Sequence, residues 1–151
     1  MKIHVSWEQY ETDEQEVLLF QLADSLQKAR VIVNKKSFVY EVIKREQMAS
    51  TIIASNLAIP HIRSIDVLQP RIEVVKLSAP LKDWEGHQGI NRLVFALVPL
   101  KMSANDQREC MQFFVNLGKC EVLNLFSRGS QKDLKDYLRG RGDSNNGSNG
   151  C

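Results

Sequence analysis

Among the residues of this chain that could act as nucleophiles or acid–base groups, one histidine stands apart. His61 follows Ala58-Ile59-Pro60, where an apolar, β-branched run stops at a proline. Proline fixes its own φ at about −65° and biases the residue before it toward extended backbone, so His61 follows a stiff stretch of chain. The ends of strands in α/β sheets are a usual place for reacting groups. A neutral imidazole is a competent nucleophile, with one nitrogen free to attack and the other positioned by a hydrogen bond. Arg45 lies sixteen residues upstream. Its planar guanidinium suits a phosphate-like anion on that ring better than a lysine would. Ser50 and Thr51 lie between the two and add hydroxyl donors. This set of residues fits a histidine that accepts an anionic group. Each also has a plainer reading: a loop histidine with a satisfied hydrogen bond, and an arginine capping its own helix.

Other chemistries find little support. The sequence holds no GxxxxGK[ST] and no GxGxxG, so neither nucleotide fingerprint is present, and no HExxH or GxSxG. His4, His61 and His87 show no ligand spacing, so neither a metal nor a cofactor is expected. The charge is +2, from 20 basic and 18 acidic residues, too balanced to argue for nucleic acid. Cys110, Cys120 and Cys151 are odd in number and form no CxxC. That spacing points away from zinc and from a disulfide framework, and toward a reducing cytoplasm. The first residues lack the apolar stretch of a signal peptide, and no apolar run approaches the roughly 20 residues of a membrane span.

The elements that must carry His61 and Arg45 can be read from periodicity. "TDEQEVLLFQLADSLQKAR" predicts a helix capped by Thr12 with Gln15 in the capping-box position. Leu18, Leu19, Leu22, Leu26 and Ala29 make its apolar face. "SFVYEVIKREQM" predicts a second helix, capped by Ser37 and ending near Arg45. "TIIASNLAIP" reads as extended, "RIEVVKLSAPL" as a strand and "DWEGHQGIN" as a loop. "RLVFALVPL" is apolar enough for a central strand covered on both faces. Ser103 with Asp106 starts the next helix, with Met111, Phe114 and Leu117 along one side. "EVLNLFS" and "SQKDLKDYLRG" are two shorter helical stretches, the second opened by Ser130 with Asp133. Helices alternating with four or five strands argue for α/β layers. The chain is long enough for one domain, here residues 1–139. Residues 140–151 are rich in Gly, Ser and Asn and read as a flexible tail, a linker stub or a cloning remnant.

The stretch "REQMASTIIASNLAIPH" resembles the signature of enzyme IIA of the bacterial phosphoenolpyruvate-dependent sugar phosphotransferase system, in the fructose/mannitol class. The matching residues are Arg45-Glu46, Ser50-Thr51 and Ala58-Ile59-Pro60-His61, spaced alike over seventeen positions. Trp84, the "LVFALVP" strand and the helix after it also fall where that family has them. The resemblance implies a three-layer α/β/α sandwich with a mixed sheet. It implies that His61 accepts a phosphoryl group from the carrier protein HPr and passes it to a cysteine of a sugar-specific IIB domain. Arg45 would steady the phosphoryl charge, with Ser50 and Thr51 as further contacts. No metal or nucleotide is needed, because the donor is itself a phosphoprotein. Association with the membrane would be indirect, through a IIC permease, and a homodimer is compatible with the reading.

The sequence departs from the family pattern twice. Glycines usual before Ala-Ile-Pro-His are replaced by Ala54 and Asn56, and Asn56 is the better substitute if a left-handed angle is required. A second active-site histidine, carried by many members in the helix after "LVFALVP", is absent. Gln107 aligns there, with Cys110 as the other register, and a glutamine can hydrogen-bond phosphate without carrying charge. His87 lies in a loop and is not an obvious replacement. These departures keep a second reading open: a regulatory IIA-like domain of a transcription regulator, in which His61 senses rather than relays.

Overall fold

The computed structural model describes residues 3–140. In chain order the elements are β1 (His4–Tyr10), α1 (Gln15–Lys28), α2 (Lys35–Met48), β2 (Ile52–Ala54), β3 (Leu57–Ala58) and β4 (His61–Ser64). β5 (Arg71–Leu77), β6 (Arg92–Pro99), α3 (Ala104–Leu117), α4 (Cys120–Arg128) and α5 (Gln131–Gly140) follow. The strands form one mixed sheet in the order β1-β5-β6-β3-β2, with β4 also on β6. β1 was not foreseen as a strand; it is an edge, parallel to β5.

Period-2 alternation divides the sheet between two cores. Leu93, Phe95 and Leu97 of β6 and Val75 and Leu77 of β5 join the buried faces of α1 and α2. Val94 and Ala96 of β6 and Ile72 and Val74 of β5 join residues of α3, α4 and α5. Both faces are therefore covered, and the expected three layers are present. β6 is the central strand, as its unbroken apolar run requires.

Helix starts were legible, with local corrections. α2 is capped by Asn34, whose side chain accepts from the Ser37 N–H, so Ser37 is inside the helix. Glu14, not Thr12, is the N-cap of α1; Thr12 Oγ1 accepts from the Glu14 N–H, two residues on. Leu18, Leu19, Leu22 and Leu26 are buried as expected, whereas Ala29 is the exposed C-cap. Beyond it Arg30 takes a left-handed φ of 60°. The Arg30 N–H donates to Gln27 O and the Val31 N–H to Leu26 O, which closes α1 in a Schellman motif. Ser103 caps α3 and the Ser130–Asp133 pair is reciprocal, both as expected. Of the face expected on α3, Leu117 is buried, Phe114 is half-buried and Met111 is 64% exposed.

The end of α4 is tied back to the sheet. Arg92, at the start of β6, donates to Phe126 O at 2.8 Å and stacks over the Trp7 ring. Asn56 Nδ2 donates to Ser127 O at 2.9 Å, and Ser127 Oγ donates to Asn56 Oδ1 at 2.6 Å. These bonds occupy carbonyls that a helix end leaves without partners. They also fix the β2–β3 hairpin, because Asn56 sits in its turn. Asn56 and Ala54 both have ordinary negative φ, so the replaced glycines leave no strain. Cys110 is a free thiol, whereas Cys120 is disulfide-bonded, which the cysteine count did not anticipate. Gly140 closes α5; the rest of the expected tail lies outside the described residues. No helix among those residues is long and apolar enough to cross a membrane.

Candidate functional site

His61 does not end a strand; it starts β4. β3 and β4 pair with β6 in one register, Ala58 opposite Leu93 and His61 opposite Ala96. They are one line of backbone interrupted at Ile59-Pro60. Pro60 has no N–H to give the ladder, yet its carbonyl accepts from the Ala96 N–H at 2.9 Å. The Ile59 N–H turns to Thr51 O at 2.9 Å, which closes the β2–β3 hairpin. The break leaves the Ile59 carbonyl free, and the His61 ring takes it: Nδ1 lies 3.2 Å from Ile59 O. The proline thus fixes the ring through the carbonyl of the residue before it.

The other ring nitrogen, Nε2, lies 3.0 Å from Arg45 Nη2. These two partners decide the tautomer. A carbonyl oxygen only accepts, so Nδ1 carries the proton. A guanidinium only donates, so Nε2 presents its lone pair. Arg45 Nη1 also donates to Ala49 O at 3.0 Å, capping the end of α2. The helix-capping reading of Arg45 and the anion-holding one are therefore met by the same side chain. Arg45 arrives from the α1/α2 layer, while the edge of Phe114 from the α3 layer meets the His61 ring at a 5.8 Å centroid distance. The pair lies where the two layers meet.

A cavity of about 440 Å³ opens on His61, walled by Ser50, Thr51, Ile53, Ile59, Phe114, Leu117, Gly118 and Leu123. Ser50 Oγ accepts from the Ile52 N–H, which leaves its hydroxyl proton free to donate. Thr51 is buried, and its hydroxyl donates to Glu46 Oε2 at 2.7 Å. Gln107 is not brought to this cavity: it is exposed, and its amide donates to Met102 O at 3.1 Å. Its place in the helix does not fix the direction of a surface side chain. Sequence reasoning left Glu46 and Phe114 without roles at the site, though the Arg45-Glu46 pair in the matching stretch pointed at the first. Another cavity, of about 360 Å³ between β1 and α3–α5, contains no histidine.

In this α/β/α fold a histidine that borders a cavity has a guanidinium 3.0 Å from its Nε2. The family described as phosphoenolpyruvate-dependent sugar phosphotransferase system, EIIA 2, matches residues 2–124, and the chain belongs to it. It is a IIA domain, a phosphocarrier of that system. No curated protein matches the sequence. Among solved structures, the nitrogen regulatory protein IIA-Ntr from Neisseria meningitidis is 19% identical, with a TM-score of 0.65 over 89% of this chain and 92% of that one. IIA mannitol from Escherichia coli is 13% identical, with a TM-score of 0.59 over 88% and 94%. The Escherichia coli mannitol IIA in complex with phosphorylated IIB is 14% identical, with a TM-score of 0.62 over 90% and 94%. At these identities the likeness concerns the fold.

Proposed function

We propose that His61 accepts a phosphoryl group on Nε2 from phosphorylated HPr and passes it to the cysteine of a IIB domain. The observation that carries this is the contact between Arg45 Nη2 and His61 Nε2 at 3.0 Å, beside an open cavity. The lone pair of Nε2 attacks phosphorus in line. The N–P bond to the donor histidine breaks, and that ring recovers its electron pair. Positive charge gathers on the His61 ring, and the Ile59 carbonyl holds its Nδ1–H throughout. The Arg45 guanidinium moves from the nitrogen to the phosphoryl oxygens and stabilises their charge there. Ser50 can donate its free hydroxyl to the same oxygens. Thr51 supports the wall, because its proton is engaged by Glu46. Residues 1–139 act as one carrier domain in the cytoplasm.

Incubation with phosphoenolpyruvate, enzyme I and HPr tests the reading. Wild type should gain one acid-labile phosphoryl group by mass and His61→Ala none. Arg45→Ala should slow acceptance on the order of a hundredfold. Wild type that stays unmodified ends the proposal. The exposed position of Gln107, with no second histidine at the cavity, favours a regulatory role as the alternative. Onward transfer to a IIB cysteine separates the two: a relay discharges His61, and a sensor retains the group.

A further inference from the structure

We propose that Glu46 is the positioning residue for the Arg45–His61 pair, its buried carboxylate bolting the end of α2 to the hairpin and to the Trp84 turn. This rests on the reading of His61 as a phosphoryl acceptor. Glu46 is 3% exposed and is joined by two donors, one to each oxygen. Thr51 Oγ1 donates to Oε2 at 2.7 Å and Trp84 Nε1 to Oε1 at 3.1 Å. No basic side chain among the described residues forms an ion pair with it. A carboxylate buried among neutral donors is costly unless each oxygen is satisfied, so this is a demanding way to fasten three segments.

The three segments are those that fix the site. Arg45 precedes Glu46 on the last turns of α2. Thr51 also accepts, through its carbonyl, the Ile59 N–H that sets the break before His61. Trp84 lies fully buried at the foot of a tight turn closed by mutual backbone bonds with His87 at 2.8 and 2.9 Å. Glu85 and Gly86 supply its positive φ angles of 48° and 85°. From the same turn His87 Nε2 donates to Ser55 O of the hairpin at 3.1 Å. The turn therefore grips α2 through Trp84 and Glu46, and the hairpin through His87 and Ser55 O. Trp84 acts on His61 through Glu46, and Thr51 acts through both Glu46 and its own carbonyl.

The test compares Glu46→Ala, Glu46→Gln and Trp84→Phe with wild type by three measurements. These are the rate of phosphoryl acceptance from phosphorylated HPr, the 15N signals of the His61 ring nitrogens, and the folded fraction in denaturant. Misplacement by about 1 Å is enough for a hundredfold loss, so folded Glu46→Ala should accept the group roughly ten to a hundred times more slowly. Its Nε2 signal should move as the Arg45 contact loosens. Glu46→Gln should recover most of the rate, since a carboxamide can accept from Trp84 and donate to a reversed Thr51 hydroxyl. Trp84→Phe should show an intermediate loss. Folded Glu46→Ala and Trp84→Phe with rates within twofold of wild type and unmoved His61 signals overturn the proposal. If Glu46→Ala does not fold, Trp84→Phe carries the same decision. If wild type accepts no phosphoryl group, the acceptor reading falls, while the ring signals still decide whether Glu46 positions His61.

Discussion

The two faces of the sheet are built differently. On one, α1 and α2 bury a continuous apolar stripe: five residues of α1, Leu18, Leu19, Leu22, Ala23 and Leu26, are buried. On the other, α3 buries only Leu117 along its whole length, and Phe113 and Phe114 are half-buried. The cavity beside His61 and the one between β1 and α3 both border this second layer. The proposed acceptor role uses both conditions. On that proposal the layer with the buried stripe holds the guanidinium in place, and the other leaves a partner room to reach the ring. Packing density sets the difference, since interiors filled like crystals transmit position and partly filled ones admit other groups.

The contrast breaks most directly under truncation. Leu22→Ala on the tight face should cost about 3 kcal/mol, the range for a buried leucine that leaves a cavity. Met111→Ala, 64% exposed on α3, should cost under about 0.5 kcal/mol. Urea denaturation midpoints measure both, and equal losses would erase the distinction. The looser face is tight at one point. A Cβ on Gly129 would lie 2.5 Å from Leu125 O, so Gly129→Ala should lower stability by about 1–3 kcal/mol in the same assay.

The tight face also holds a strand carboxylate that works against it. Glu73 is buried, and desolvation raises its pKa, while Arg71 at 3.2 Å pulls it partly back. A carboxyl with a raised folded value binds more protons folded than unfolded. Its favourable contribution is therefore present at low pH and lost as pH rises from the ordinary carboxylate range through the folded value. Glu73→Gln removes that loss. Its stability relative to wild type should improve by on the order of 1 kcal/mol between pH 4 and 7, read from midpoints at several pH values. A constant difference would remove the buried charge as the cause. A gain is expected at Arg30, whose left-handed φ sits at the C-terminal end of α1. Arg30→Gly should stabilise by about 0.5–1 kcal/mol, since glycine adopts that angle without a Cβ clash. A thermal midpoint that falls instead would show that the arginine side chain is needed there.

Much was legible because it depends on neighbours in sequence. The helical faces of α1 and α2, the Ser103 and Ser130 caps and the two-sided burial of β6 follow from periods of 3.6 and 2 and from side chains that bond backbone three residues away. β1 was missed because a half-buried edge strand alternates weakly. Asn34 was passed over as a cap because Ser37 competes for the same signal. Gln107 aligned by position alone, and a surface helix residue takes its direction from the local bonds open to it.

The sequence alone determined that His61 follows a stiff stretch ending in proline, that Arg45 lies near the end of a helix leading to it, and that the chain alternates helices with strands. Those are local facts, set by proline, caps and periodicity. Only the tertiary structure decided which ring nitrogen carries the lone pair, because its partners Ile59 O and Arg45 Nη2 are fixed by a ladder break and by helix docking. It likewise decided that Glu46 joins Thr51 to Trp84, thirty-eight residues away from it. A hydrogen bond requires about 3 Å and a defined angle, and separations that long in sequence leave both to the packing of the layers.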